Sequence, residues 1–131
     1  LGRIPPNIAH QEKIINFCKR IGIQVIAFYM IGLPSDRKES IKEMVKYSRK
    51  LNTSYANFTI CTPIHGTAFY EKIENKIFDF NLNHYDNFHP VFKHDYLTNE
   101  EILDIQEKAI TGYYFRPRYF LRYIVDKYKS K

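Results

Sequence analysis

Cysteines and histidines could hold a metal ion, but their spacing in this sequence matches no common local site. Cys18 and Cys61 are the only two cysteines, and they lie far apart without a CxxC or CxxxC pattern. Both stand among apolar residues, which favours small core side chains. His84, His89 and His94 recur every five residues, a spacing that suits neither one helix face nor a common zinc site. We therefore assign no metal ligand.

Acidic residues show no catalytic pairing either. Asp36 and Glu39 have the spacing of a capping box at a helix start, and Thr98 with Glu101 has the same form. No nucleophile stands beside a base. The sequence therefore indicates no catalytic residue.

Length and composition place the chain among globular proteins. Its 131 residues suffice for one domain, and 44% hydrophobic content with 11 Tyr and 10 Phe excludes a disordered chain. No apolar run approaches the roughly 20 residues of a membrane helix, and no signal-peptide pattern is seen. A cytoplasmic protein is expected.

One stretch organises the chain. Val25 to Ile31 holds only apolar and aromatic residues, which predicts a strand buried on both faces, as in a parallel sheet. Gly32 and Pro34 end it, and a helix begins soon after. Ligands of α/β proteins usually bind at such an edge, although an ordinary strand-to-helix corner has the same spacing.

Further elements surround this strand. A first helix follows Asn7, with Ile14, Phe17, Cys18 and Ile21 inward and Gly22 at its end. A second helix covers about Arg37 to Leu51, and a second strand Ala56 to Thr62. The connection predicts parallel neighbours with a right-handed crossover. The turn Pro63 to Thr67 then leads into a short helix, Ala68 to Glu74.

The remaining chain is predicted to be a long loop and two helices. Residues 75 to 96 are irregular and could be held to the body by aromatic and apolar residues: Phe78, Phe80, Tyr85, Phe88, Val91 and Phe92. A helix begins at Thr98, turns Ile102, Ile105, Ala109 and Ile110 inward, and ends near Tyr114. The last helix, about Pro117 to Lys129, is predicted to bury Phe120, Ile124 and Tyr128.

Most of the net charge of +6 lies in the C-terminal residues: Arg116, Arg118, Arg122, Lys127, Lys129 and Lys131 against Asp126. Arginines interleaved with Tyr119 and Tyr123 would suit a small basic module that binds RNA or DNA. The alternatives are a solvated face on a terminal helix and, for Arg116 to Tyr119, a packed corner between two helices. We favour the alternatives.

Several short motifs occur in a recognisable order. They are Gly22-Ile23, then Phe28-Tyr29-Met30-Ile31-Gly32-Leu33-Pro34, then Thr62-Pro63-Ile64-His65-Gly66-Thr67. Together they resemble the later half of radical S-adenosylmethionine (SAM) enzymes, with the closest likeness to the class that carries a cobalamin-binding domain. The segment from Pro90 through Tyr119 resembles the usual ending of that class.

This resemblance implies an α/β fold, the C-terminal portion of a partial (β/α)6 TIM-like barrel followed by a helical extension. Residues 1–74 would form the barrel portion and residues 75–131 the loop and extension. The chain would contribute the adenine-side wall of the SAM site, through Tyr29, Met30, Ile31, Gly32, Leu33, Pro34, Thr62 and Pro63. The full-length protein would use SAM and a 4Fe–4S cluster, with cobalamin on a separate N-terminal domain.

The sequence also departs from that family. Ser35-Asp36-Arg37 replaces the usual Gly-Glu-Thr, and His65 replaces a common proline. The cluster motif CxxxCxxC is absent, so the resemblance implies a fragment whose partner is the missing N-terminal part of the same chain and which is inactive alone. The substrate is not indicated. A self-contained domain with no site is the remaining alternative, but two strands make a marginal sheet, and we expect the isolated chain to be poorly stable.

Overall fold

A computed structural model describes residues 7–129. Its helices and strands, in chain order, are α1 (Ile8–Arg20), β1 (Ile26–Ile31), α2 (Lys38–Leu51), β2 (Tyr55–Ile60), α3 (Ala68–Ile73), α4 (Asn99–Tyr114) and α5 (Pro117–Lys129). Short 3-10 turns lie at Glu74–Lys76 and Leu82–His84. The first six residues of the predicted 1–74 unit, Lys131 of the basic tail and the side chains of Asp126, Lys127 and Lys129 lie outside the description.

The two strands pair in parallel, as predicted. Ile26 is opposite Tyr55 at one end and Ile31 is opposite Ile60 at the other. The connection between them contains α2, because a parallel pair cannot be joined by a tight turn. The described residues thus form an α/β unit with two parallel strands and five α-helices, which is compatible with a portion of a barrel.

The two faces of this sheet differ, so the prediction of a strand buried on both faces is wrong. Tyr29, Ile31, Phe58 and Ile60 point into a core whose other side is formed by α2 and α4, through Ile41, Ile102, Ala109 and Tyr113. On the other face of β1, Ile26, Phe28 and Met30 are 54%, 71% and 48% exposed. The helices cover one side only, and no other described element covers the second.

The start of α2 also differs from the prediction. The residue before its first turn is Arg37, whose N–H donates to Ser40 Oγ at 3.0 Å. Asp36 does not cap the helix with Glu39, because its carboxylate is turned back toward the Gly32 turn. The start of α4 is as predicted: the Thr98 hydroxyl accepts from the Glu101 N–H at 3.2 Å, and the Glu101 carboxylate accepts from the Thr98 N–H at 3.0 Å.

The first and last helices have the predicted bounds but not the predicted burial. On α1, Ile14, Phe17 and Ile21 are exposed, and Cys18 is half-buried. On α5, Phe120, Ile124 and Tyr128 are exposed. Helical spacing did not identify the side of each helix that faces the body. Of the described side chains, Ile15 and Cys18 are among the less exposed on α1, and Tyr119 and Arg122 are the less exposed on α5. Gly22 does follow α1 with a φ of +80°, as expected of a C-terminal glycine.

The irregular segment after α3 is held by a second small core. It contains Cys61, Ile73, Ile77, Val91 and Phe92. Val91 and Phe92 are buried as predicted and Tyr85 packs against them, whereas Phe78, Phe80 and Phe88 are exposed. Over the described residues, no helix has the length and hydropathy needed to cross a membrane.

Candidate functional site

The turn after β1 is held closed by a carboxylate. Gly32 has a φ of +81°, a conformation that glycine adopts without a steric penalty. The Asp36 carboxylate accepts from the N–H groups of Gly32 and Leu33, each at 3.0 Å. Burial raises the pKa of Asp36, and these two hydrogen bonds act in the opposite direction. The turn therefore presents no free amide donor at Gly32 or Leu33.

A buried histidine packs against the same turn. His94 is 7% exposed, and its ring lies 4.1 Å from the Phe92 ring, centre to centre. A Cβ on Gly32 would come within 2.9 Å of His94 Cε1. Burial lowers the pKa of His94 to about 4, so the ring is neutral at pH 7. Neither ring nitrogen has a hydrogen-bond partner of good geometry among the described residues, although the ring faces the Gly32 backbone.

The other two histidines of the five-residue series have different partners. His84 Nδ1 lies 2.6 Å from Asp79 Oδ2, and His89 Nδ1 lies 2.9 Å from Asp86 Oδ2. The two rings stack at 4.8 Å, but His94 is not part of this arrangement. Within residues 7–129 no three potential ligands are grouped in a way that could hold a metal ion.

The eight residues of the expected cofactor wall lie in three places. Tyr29 and Ile31 lie in the helix-covered core, where the Tyr29 ring stacks on Phe58 at 5.1 Å and burial raises its pKa to about 12. Met30 lies on the open face. Gly32, Leu33 and Pro34 end β1 where Thr62 and Pro63 end β2, and the two ends are joined because the Cys61 N–H donates to the Ile31 carbonyl at 2.7 Å.

Sequence reasoning missed a cleft beside this edge. It has a volume of about 860 Å³ and is lined by Leu33 and Pro34 together with three basic residues. These are Arg37 just before α2, Lys72 on α3 and Lys76 in the turn after α3. In the sequence, Arg37 appeared only as a departure from a family pattern. Its position next to the predicted start of α2 was the available signal.

The outer edge of β2 is closed by two side chains and one backbone carbonyl. The Tyr114 hydroxyl accepts from the Ala56 N–H at 3.0 Å and donates to the Ala56 carbonyl at 2.9 Å. Gln106 Nε2 donates to the Phe58 carbonyl at 2.7 Å, and the Ile60 N–H donates to the Asn87 carbonyl at 2.7 Å. These bonds pair backbone groups that would otherwise form an exposed sheet edge.

The outer edge of β1 lacks such partners. Because the carbonyls of Val25 and Ile31 accept from β2 and its extension, the alternate residues Ile26, Phe28 and Met30 turn their backbone groups the other way. No hydrogen bond to those outward groups is present among the described residues. One edge of the pair is therefore closed, and the other is open beside an exposed apolar face.

The arginines after α4 form a packed corner. Arg116 donates to the carbonyls of Tyr113 and Arg49 and to Asn52 Oδ1, at 2.6, 2.8 and 2.8 Å. Arg122 donates to the Ser54 carbonyl at 2.9 Å and also contacts the carbonyls of Asn52 and Thr53. Two of the arginines proposed for nucleic-acid contact thus bind the end of α2 and the loop after it, which favours the corner.

Comparison with known proteins finds relatives that are named as enzymes. The chain is 30% identical over 127 residues to an uncharacterized methyltransferase of Pyrococcus horikoshii, covering 94% of the chain and 28% of that protein. It is 26% identical to an anaerobic magnesium-protoporphyrin IX monomethyl ester cyclase of Rubrivivax gelatinosus, covering 95% of the chain and 22% of the cyclase. It is 20% identical to a bacteriochlorophyllide d C-12(1)-methyltransferase of Chlorobaculum tepidum, covering 74% of the chain and 21% of that enzyme.

These relatives are much longer than the chain, which spans between about a fifth and somewhat more than a quarter of their length. No family model matches. Nearly the whole chain is thus similar to a segment of larger methyltransferases and cyclases.

Proposed function

We propose that this chain is a segment of a radical SAM enzyme and that β1 and β2 are the last two strands of its partial barrel. The observation that carries the proposal is the asymmetry of the sheet. Hydrogen bonds close one edge, whereas no part of residues 7–129 covers the other edge or the second face of β1. An interior strand of a barrel needs a neighbour on both edges, whereas the last strand of an open barrel needs one. The motif order and the longer relatives support the same assignment.

Within that barrel, the open face of β1 and the strand ends would border SAM. Met30, Leu33 and Pro34 offer apolar contacts, and Thr62 and Pro63 lie at the adjacent strand end. Gly32 shapes the turn between them, because its lack of a side chain leaves room for His94. Because Asp36 occupies the amides of Gly32 and Leu33, this turn suits an uncharged ring such as adenine better than a phosphate. Tyr29 and Ile31 lie on the opposite face of β1 and would hold the strand against the helices.

SAM, when bound and reduced, supplies the 5′-deoxyadenosyl radical. The reducing 4Fe–4S cluster does not fit the residues of this chain. Such a cluster needs three or four thiolates, and here there are two cysteines, of which Cys61 is buried with its pKa raised to about 11. The cluster would therefore be held by another part of the protein.

Other details of the whole enzyme stay predictions. The names of the relatives suggest methyl transfer or ring closure as the reaction class. A cobalamin-binding domain and a cytoplasmic location rest on the sequence alone.

The reading frame upstream of Leu1 tests this proposal at once. We expect a CxxxCxxC motif roughly 100 to 150 residues before Leu1, within one domain length. A continuous upstream frame without that motif would refute the assignment.

A nucleic-acid module would behave differently. Its affinity would fall steeply with salt, because contact with phosphates releases counterions. We expect no such binding, since Arg116 and Arg122 are used within the fold. Salt-sensitive binding of RNA or DNA that is lost in Arg118→Gln would favour that alternative.

A further inference from the structure

The cleft beside the β1 turn combines apolar walls with positive charge. Leu33, Phe69 and Ile73 supply apolar surface, and Arg37, Lys72 and Lys76 supply three cations. Asp95 is the acidic residue of its lining. The cleft thus has an excess of positive charge in a space large enough for a small organic molecule.

Two of these cations are not neutralised. Lys76 Nζ lies 2.6 Å from Asp95 Oδ1, so these two charges compensate each other. Arg37 and Lys72 have no carboxylate within ion-pair distance among residues 7–129, and the neighbouring Asp36 is turned to the Gly32 and Leu33 amides. Cations that converge on a cleft without acidic partners favour binding of an anion.

Arg37 is also held in position. Its guanidinium carbon lies 3.7 Å from the centre of the Tyr96 ring, a cation–π contact. A guanidinium fixed in this way presents paired donors that match a carboxylate or a phosphate. Arg37 stands where the radical SAM pattern has threonine, so this cation is a feature of this chain.

We propose that the cleft binds the anionic group, a carboxylate or a phosphate, of a substrate with an apolar body. Arg37 and Lys72 contact the anion, and Leu33 and Phe69 contact the body. That the ligand is a substrate rests on the proposed function, but anion binding by the cleft does not.

NMR-monitored titration of the longer protein that contains this chain, without cluster or SAM, tests the site. The probes are benzoate, its neutral analogue benzamide, and inorganic phosphate. Benzoate is expected to shift signals from Arg37, Lys72 and Tyr96, and benzamide is not. Arg37→Gln and Lys72→Gln should each weaken binding about tenfold, because each removes a charge-assisted hydrogen bond.

Lys46→Gln is the matched control, since Lys46 is an exposed lysine of α2 that does not line this cleft. Stronger binding of benzoate than of phosphate identifies a carboxylate on an apolar body, and the reverse identifies a phosphate. Benzoate binding no tighter than benzamide together with no binding of phosphate, or unchanged affinity in both cleft variants, would overturn the proposal. A further outcome is that the longer protein binds the anion in this cleft and yet fails to cleave SAM. That result would refute the proposed function but would leave the anion site supported.

Discussion

Gly32 is the residue at which the backbone turn and the buried core meet. Its φ of +81° disfavours any side chain, and a Cβ there would lie 2.9 Å from His94 Cε1. Gly22 has nearly the same φ, +80°, but nothing lies within 4 Å of its would-be Cβ. The two glycines therefore separate the backbone penalty from the packing penalty.

Gly32→Ala should destabilise the chain more than Gly22→Ala. The backbone strain costs about 1–2 kcal/mol at each site, and the clash with His94 adds about 1–3 kcal/mol at Gly32 alone. Urea unfolding measures both free energies. In the His94→Ala background the excess cost at Gly32 should shrink, and an unchanged excess would show that His94 does not press on this turn.

His94 should make stability depend on pH. Its folded pKa of about 4 lies below its ordinary value of 6.5, chiefly because of burial, while Asp95 raises it and Lys76 lowers it. The unfolded chain therefore binds the proton first as pH falls. The contribution of the neutral ring is complete above pH 6.5 and is lost progressively toward pH 4.

His94→Asn should remove this loss. The wild-type chain is expected to lose on the order of 2 kcal/mol of unfolding free energy between pH 7 and pH 4.5 that His94→Asn does not lose. His10→Asn, at an exposed histidine of α1, is the control. Equal pH dependence in the wild type and His94→Asn would contradict a buried neutral imidazole.

At the scale of elements, α4 fixes β2 by backbone contacts as well as by apolar packing. The Tyr114 hydroxyl bonds both backbone groups of Ala56, and Gln106 bonds the carbonyl of Phe58. Tyr114 and Gln106 lie on the same side of α4 as the predicted apolar stripe. These polar contacts fix the position of α4 along the edge of β2.

Tyr114→Phe should destabilise the chain by about 1–2 kcal/mol, because it leaves the Ala56 N–H and carbonyl without their partner. Tyr128→Phe removes an exposed hydroxyl on α5 and should change stability by less than about 0.5 kcal/mol. Thermal or urea unfolding compares the two variants. Equal effects would argue against a structural role of the edge contacts.

Much of the arrangement of helices and strands was predictable from the sequence. The strands, their parallel pairing, the Thr98 capping box and the bounds of the last helix follow from local patterns. Burial on α1 and α5 did not follow, because periodicity marks an apolar face without showing what covers it. The second face of β1 was missed for the same reason, and the roles of Gln106 and Arg37 depend on contacts distant in sequence.

For the whole molecule, the open face and edge of β1 are the main feature to be explained. Ile26, Phe28 and Met30 expose apolar side chains, and their backbone groups have no hydrogen-bond partner in the described part of the chain. In a longer protein, a neighbouring strand would pair with the edge, and closure of the barrel would enclose the face. If the chain were a self-contained domain, its exposed apolar face and open strand edge would be unexplained.

Hydrogen exchange should report the difference between the two edges. In the isolated chain, the amides of Ile26, Phe28 and Met30 should exchange at least about tenfold faster than those of Ala56 and Ile60, which donate to Tyr114 and Asn87. The first three should become protected when the upstream part of the protein is present. Equal protection at both edges of the isolated chain would indicate a complete sheet.

The most direct test of the account is SAM cleavage by the longer protein that contains this chain, reconstituted anaerobically with iron and sulfide. We expect formation of 5′-deoxyadenosine, reduced at least about tenfold by Met30→Asp on the open face and unaffected by Leu103→Asp, an exposed apolar position on α4. No 5′-deoxyadenosine from the reconstituted protein, or equal rates in the two variants, would contradict a SAM site on the open face of β1.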